Sequence, residues 1–242
     1  GPARFNATPK ESSNPQDEVP YWARSAIVEF TEKVKEIEAV LLSSGVQLSE
    51  GEKAELNEEA LDYLMEDNNL AEKSPGPLTE PAVERRMRRV VSLQKVPRDI
   101  FFQQSLNVAM ALEKLKKDFL KQRKKFGDLS QVRFKTEPGW GTVGGLSDDL
   151  YDVRSDDVLI VDVGGHDVYK GEPAVGKDGH VSVVLDLSGD DIYESRHPFG
   201  LGVGFWGIGF LEDLDGDDLY RSGDYAQGCG VFGAGILCDR SG

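Results

Sequence analysis

Three stretches of the chain set aspartate, glycine and tyrosine in one frame. They are Asp162-Val-Gly-Gly-His-Asp167-Val-Tyr169, Asp186-Leu-Ser-Gly-Asp-Asp191-Ile-Tyr193 and Asp213-Leu-Asp-Gly-Asp-Asp218-Leu-Tyr220. The leading aspartates are 24 and 27 residues apart, a further copy opens at Asp239 after another 26, and a degenerate one stands at Asp148-Asp149-Leu150-Tyr151. If the copies stack, like carboxylates lie about 5 Å apart and repel by roughly 0.8 kcal/mol in water, or roughly 3 kcal/mol at an effective dielectric of 20. Something must offset that. Ca²⁺ is one candidate, since it takes six to eight oxygens at about 2.3–2.6 Å. Its candidate ligands are Asp162, Asp167, Asp186, Asp190, Asp191, Asp213, Asp215, Asp217, Asp218 and Asp239. The alternative is that each carboxylate accepts turn amides and so builds the corner of a repeat. An EF-hand loop is not claimed, because Asp218 stands where that loop needs glycine at its sixth place.

Two other residue types could do chemistry. His166 occupies the place that Asp190 and Asp217 hold in the later copies, and His180 and His197 follow within 32 residues of it. They read either as an acid–base or metal cluster or as isolated surface histidines. Cys229 falls between Gly228 and Gly230, where the preceding copy has Val203. It is either a small buried apolar residue or a thiol nucleophile activated by a histidine such as His166, with glycine amides as an oxyanion site. A Cys229–Cys238 disulfide across one repeat is a third reading. No carboxylate pair for polysaccharide cleavage can be singled out among so many aspartates.

The elements that would position these residues follow from the period. Repeats of 20 to 50 residues mean a stacked architecture. Gly202, Gly204, Gly207 and Gly209 recur as Gly228, Gly230, Gly233 and Gly235. A dinucleotide site would need a helix after each G-x-G-x-x-G, and short β-prone runs follow instead. The expectation over 128–242 is a parallel β-solenoid of roughly 26-residue coils with strands about 4.8 Å apart. Val184, Leu211 and Leu237 should make one interior file, Ile192 and Leu219 another, and Tyr169, Tyr193 and Tyr220 an aromatic file.

The Gly-Asp-Asp-x-Tyr frames and glycine-rich coils resemble repeat regions of large secreted bacterial β-solenoid proteins. More distantly they are similar to the calcium-binding repeats of secreted toxins and hydrolases, whose nonapeptide appears in part at Gly164-Gly165-His166-Asp167-Val168-Tyr169. The resemblance covers residues 139–242 and implies calcium and a secreted, periplasmic or cell-surface location.

The preceding half is of another kind. Residues 1–20, opening on Gly1-Pro2 like a tag scar, read as a flexible leader, and 21–127 as a helical bundle. Ile27, Phe30, Val34, Ile37 and Leu41 step by three and four from Tyr21 onward. Helices are also expected after Ser49, from Thr79 to Gln94, and from Pro97, with a Pro75-Gly76-Pro77 breaker between the second and third. The basic run Arg85-Arg86-Met87-Arg88-Arg89 reads as a solvated face or as a grip for a polyanion. The fold class is therefore α+β, a helical bundle followed by a solenoid.

Charge narrows the function. The 242-residue chain has a net charge of −15, and 128–242 carries 22 acidic against 8 basic side chains. Nucleic acid is thereby disfavoured, and no membrane span stands in the sequence. The expectation is a scaffold, adhesion or binding module, with surface polysaccharide or protein as candidate partners. The alternative is a hydrolase, either thiol-dependent or acting on polysaccharide, with the chain as one product of an autoprocessed precursor. Ending within a repeat frame, the sequence also suggests a further segment or second chain pairing at the solenoid edge.

Overall fold

The computed structural model describes residues 10–11, 19–44, 48–65, 80–126, 131–196 and 198–242. The Pro75-Gly76-Pro77 breaker, the boundary at 127–130 and His197 lie outside them.

Helix α1 (Tyr21–Ser44) buries its three- and four-step file from Ile27 to Leu41. It packs against α4 (Arg98–Gln122), which buries Phe101, Val108, Leu112, Leu115 and Phe119. Trp22 of α1 stands edge-on to Phe119 and Phe126, with both ring centroids at 5.2 Å. Between these helices come α2 (Glu50–Met65) and α3 (Glu80–Gln94), which pack on each other. Ser49 starts α2 through a reciprocal cap. The Glu52 amide donates to its hydroxyl at 3.3 Å, and its own amide donates to the Glu52 carboxylate at 2.8 Å.

Three β-sheets follow. The widest runs β1 (Lys10–Glu11), β2 (Val132–Lys135), β3 (Trp140–Val143), β5 (Asp157–Asp162), β8 (Val181–Asp186), β11 (Ile208–Asp213) and β14 (Ala234–Asp239), in that spatial order. A second contains β4 (Leu150–Val153), β6 (Val168–Gly171), β9 (Ile192–Glu194) and β12 (Leu219–Arg221). A third contains β7 (Gly176–Lys177), β10 (Gly204–Phe205) and β13 (Gly230–Val231). Except for the antiparallel β2–β3 hairpin, every pairing between these strands is parallel. The chain thus visits the three sheets in turn and climbs one rung per repeat: a β-solenoid of about three turns with roughly 26-residue coils, as the period requires.

Strand alternation divides the core in two. Leu159, Val161, Val183 and Leu185 point to one side and share a single apolar cluster with α1 and α4. Ile160, Val184 and Leu211 point to the other side, into the coil interior with Tyr151, Tyr169 and Tyr193. β5 and β8 are buried on both faces, which accounts for their unbroken apolar runs. Polar contacts fasten the helices to the coils. Lys116 of α4 donates to the buried Glu212 of β11 at 2.8 Å, and Arg240, which follows β14 and donates to Glu212 at 2.7 Å, also donates to Glu113 of α4 at 3.5 Å. Trp206 donates its indole N–H to Asn57 of α2 at 2.6 Å.

The expected file of Val184, Leu211 and Leu237 is in register. Ile192 and Leu219 are also paired, but they do not line the interior. Each immediately precedes a tyrosine whose ring points inward, so the two-residue period sends it outward, and Leu219 is 40% exposed.

Candidate metal centre

The tyrosine file forms, and it is one ring longer than the three full frames. Tyr151, Tyr169, Tyr193 and Tyr220 stack with centroid separations of 4.6, 4.6 and 4.9 Å. Register fixes this, because each tyrosine is paired with the next across β4, β6, β9 and β12. The hydroxyls of Tyr151, Tyr169 and Tyr193 each reach up one rung to a leading aspartate, whereas that of Tyr220 has no hydrogen-bond partner among the described residues. Tyr169 donates to Asp186 Oδ2 and Tyr193 to Asp213 Oδ2, both at 2.5 Å, and Tyr151 donates to Asp162 Oδ2. The other oxygen of each leading aspartate closes a local turn. Asp162 Oδ1 accepts the Gly164 amide at 2.7 Å and Asp186 Oδ1 the Ser188 amide at 3.0 Å, with Asp213 and Asp215 paired likewise at 3.3 Å.

The second aspartate of each frame reaches down instead. Asp167 Oδ1 accepts the Asp149 amide at 2.6 Å, Asp191 Oδ1 that of Asp167 at 2.5 Å, and Asp218 Oδ1 that of Asp191 at 2.8 Å. Turn-building therefore uses one oxygen of each of these carboxylates. The other, Oδ2 of Asp167, Asp191 and Asp218, is buried and has no hydrogen-bond partner.

Leading and second aspartates meet in three triads, Asp149/Asp162/Asp167, Asp167/Asp186/Asp191 and Asp191/Asp213/Asp218. Within each, one oxygen per residue lies within 4.8 Å of the others. Two oxygens on opposite sides of one Ca²⁺ are about 4.6–5.2 Å apart, so each triad fits around a single ion. Asp167 and Asp191 are 1% exposed, and Asp149, Asp162, Asp186 and Asp213 are fully buried. This is an expensive place for negative charge. Burial pushes Asp167 and Asp213 up to about 8 and Asp191 to about 10, with neighbouring carboxylates adding to the rise, and it raises Asp162 and Asp186 as well. The same burial, and then the carboxylates beside them, push Tyr151, Tyr169 and Tyr193 well above the usual phenol range. The phenols stay neutral donors, and the column must hold either protons or cations. The clusters can hold a metal ion.

Of the ten aspartates expected to ligate, the structure brings Asp162, Asp167, Asp186, Asp191, Asp213 and Asp218 together in triads. Asp190 and Asp217 face solvent one position earlier, on the opposite side of the chain, and Asp215 is exposed as well. Asp239 is in register with Asp213 but belongs to no triad among the described residues. The aspartate missing from that set is Asp149. Its signal was the degenerate copy at Asp148-Asp149, which has no leading aspartate. Asp162 supplies the leading carboxylate to its triad from the coil above.

His166 belongs to an outer ladder with Asp148 and Asp190. Asp148 Oδ1 accepts the His166 amide, His166 Nδ1 accepts the Asp190 amide and Asp190 Oδ1 accepts the Asp217 amide, each at 3.0 Å. An imidazole nitrogen thus does what a carboxylate oxygen does one rung above. His180 lies elsewhere, with its Nδ1 3.4 Å from Glu38 of α1. Cys229 and Cys238 are free thiols, so the disulfide, one of the three readings of Cys229, is not formed. Burial pushes the Cys229 thiol up, opposite to the shift of an activated nucleophile.

Compared with family models, curated proteins and solved structures, the chain matches none.

Proposed function

We propose that the chain is a scaffold or binding module of a secreted or cell-surface protein, with a solenoid held together by calcium in its carboxylate column. One observation carries this reading. Asp167 and Asp191 are buried carboxylates that each keep one oxygen without a hydrogen-bond donor, inside triads whose span suits one ion. A protein gains nothing by burying such oxygens unless a cation or a proton takes them. Calcium suits the triads better than magnesium does. Magnesium keeps several of its waters, whereas calcium accepts irregular, carboxylate-rich coordination, and these triads are enclosed. The charge of the coil half and the resemblance to calcium-binding repeats of secreted proteins point the same way. With its ions in place, the stack is a rigid rod that presents its outer faces to a polysaccharide or protein partner.

The test is calcium titration of chelator-treated protein by calorimetry, with thermal unfolding alongside. A ligand that binds only the folded state at 100 times its dissociation constant adds about 2.7 kcal/mol of stability. The expected result is heat of binding and a melting temperature several degrees higher, both weakened by Asp191→Asn. No heat and an unmoved melting temperature at millimolar calcium would discard the reading.

A further inference from the structure

We infer that the column takes a row of three cations with shared ligands, rather than one ion at a single site. This rests on the calcium reading above and adds a count and a connectivity to it. Asp167 belongs to both the first and second triads, and Asp191 to both the second and third. The three sites therefore draw on seven carboxylates, two of which serve twice. Charge balance favours filling all three: with every carboxylate ionised, three dications offset six of the seven negative charges in an interior lined by apolar side chains and tyrosine rings, whereas a single dication leaves five that only protons can offset.

The shared residues are built for two-sided use. Asp167 and Asp191 each give Oδ1 to an amide of the rung below and keep Oδ2 unpartnered. A carboxylate offers about four lone-pair sites over its two oxygens, so one amide bond leaves enough to reach an ion on each side. The unshared leading residues are held differently. Asp162, Asp186 and Asp213 each accept one tyrosine hydroxyl and one turn amide, which fixes the carboxylate plane from outside the ligand set. The phenol stack is thus one hydrogen bond away from every site, close enough for tyrosine excitation to sensitise bound terbium, a luminescent stand-in for calcium.

The experiment counts ions on the full chain by equilibrium dialysis with calcium, and follows tyrosine-sensitised terbium luminescence in parallel. At a calcium concentration that saturates the unmodified protein, three ions per chain are expected. Asp162→Asn touches one triad and should cost one ion. Asp191→Asn touches two and should cost two, as should Asp167→Asn, while the exposed Asp190→Asn should keep all three. Circular dichroism checks each variant for folding, and the count on the unmodified chain decides the matter where a variant does not fold. One ion per chain overturns the row but leaves the calcium reading intact, as does an equal loss from Asp162→Asn and Asp191→Asn. Binding of neither calcium nor terbium overturns both.

Discussion

Three rungs are tied by the bond between a tyrosine hydroxyl, that of Tyr151, Tyr169 or Tyr193, and the leading aspartate above it, and substitution by phenylalanine removes that bond while keeping the ring. Tyr193 is fully buried, and its hydroxyl donates to Asp213 at 2.5 Å. Tyr193→Phe keeps the ring between Tyr169 and Tyr220 but deprives Oδ2 of the buried Asp213 carboxylate of its donor, leaving the Asp215 amide on Oδ1. Leaving such a group unsatisfied costs about 1–3 kcal/mol, so urea unfolding should show a loss of that size with an unchanged slope. The outer ladder should respond quite differently. His166 is exposed and acts there as an acceptor for the Asp190 amide. Restoring the repeat's own residue with His166→Asp should therefore change stability by no more than about 0.5 kcal/mol. A drop of several kcal/mol would mean that the imidazole does something a carboxylate cannot. These two residues also show what was legible in the sequence. The shared frame reveals that Tyr193 and Asp213 sit on neighbouring rungs, since equal spacing means stacking. It does not reveal which of two adjacent aspartates turns inward. Asp190 and Asp191 are the same residue type one position apart, and both accept an amide from a neighbouring rung; only the phase of the short strand that follows them places one in a buried triad and the other in solvent.

At the level of strands and helices, the spacing of coils depends on backbones that pass too close for side chains. A Cβ on Gly189 would land on the Gly165 carbonyl oxygen, and one on Gly216 would land on that of Gly189. The recurring glycine of the frame is thus a spacing requirement of the stack, and this is why it could be read from the repeat alone. What could not be read is how the helices sit on the sheet, because nothing in a helix's own periodicity names the strand it covers. Glu38 of α1 illustrates this. It accepts the Val181 amide at 2.9 Å and lies 3.4 Å from His180 Nδ1. The carboxylate holds the imidazole's pKa above its ordinary 6.5, against the opposing pull of burial and with Asp178 adding a smaller push. A raised folded-state value makes the protonated form the stabilising one. The contribution is complete below about pH 6.5 and fades as pH climbs through the folded-state value. Melting temperatures measured from pH 5.5 to 8.5 should therefore fall more steeply for the unmodified chain than for His180→Asn. Parallel curves would mean that the His180–Glu38 pair contributes nothing to the docking of α1.

Across the whole molecule, the composition break near residue 128 marks a change of secondary structure within one continuous core. Phe30, Val34 and Ile37 of α1, together with Val108, Leu112 and Phe119 of α4, belong to the same apolar cluster as Leu159, Val161, Val183 and Leu185 of the coils. Cutting the chain at the composition break would bare both sides of that cluster. At roughly 25 cal/mol per Å² of apolar surface, even a few hundred Å² uncovered would cost several kcal/mol, comparable to the whole stability of a small domain. The Lys116 contact adds to this, because separation leaves Glu212, 2% exposed in the intact chain, with Arg240 as a partner but without Lys116. Calorimetry of the intact chain at fixed calcium should therefore give one transition whose calorimetric and van't Hoff enthalpies agree, as expected for cooperative unfolding. Residues 19–127 expressed alone should keep helical far-ultraviolet dichroism but lose the near-ultraviolet signal of Trp22 and its aromatic neighbours, the mark of a loosened core. Two resolved transitions, or an isolated helical segment that melts sharply, would show that the coils and the helices are stable independently and that their shared cluster is only a contact between finished parts.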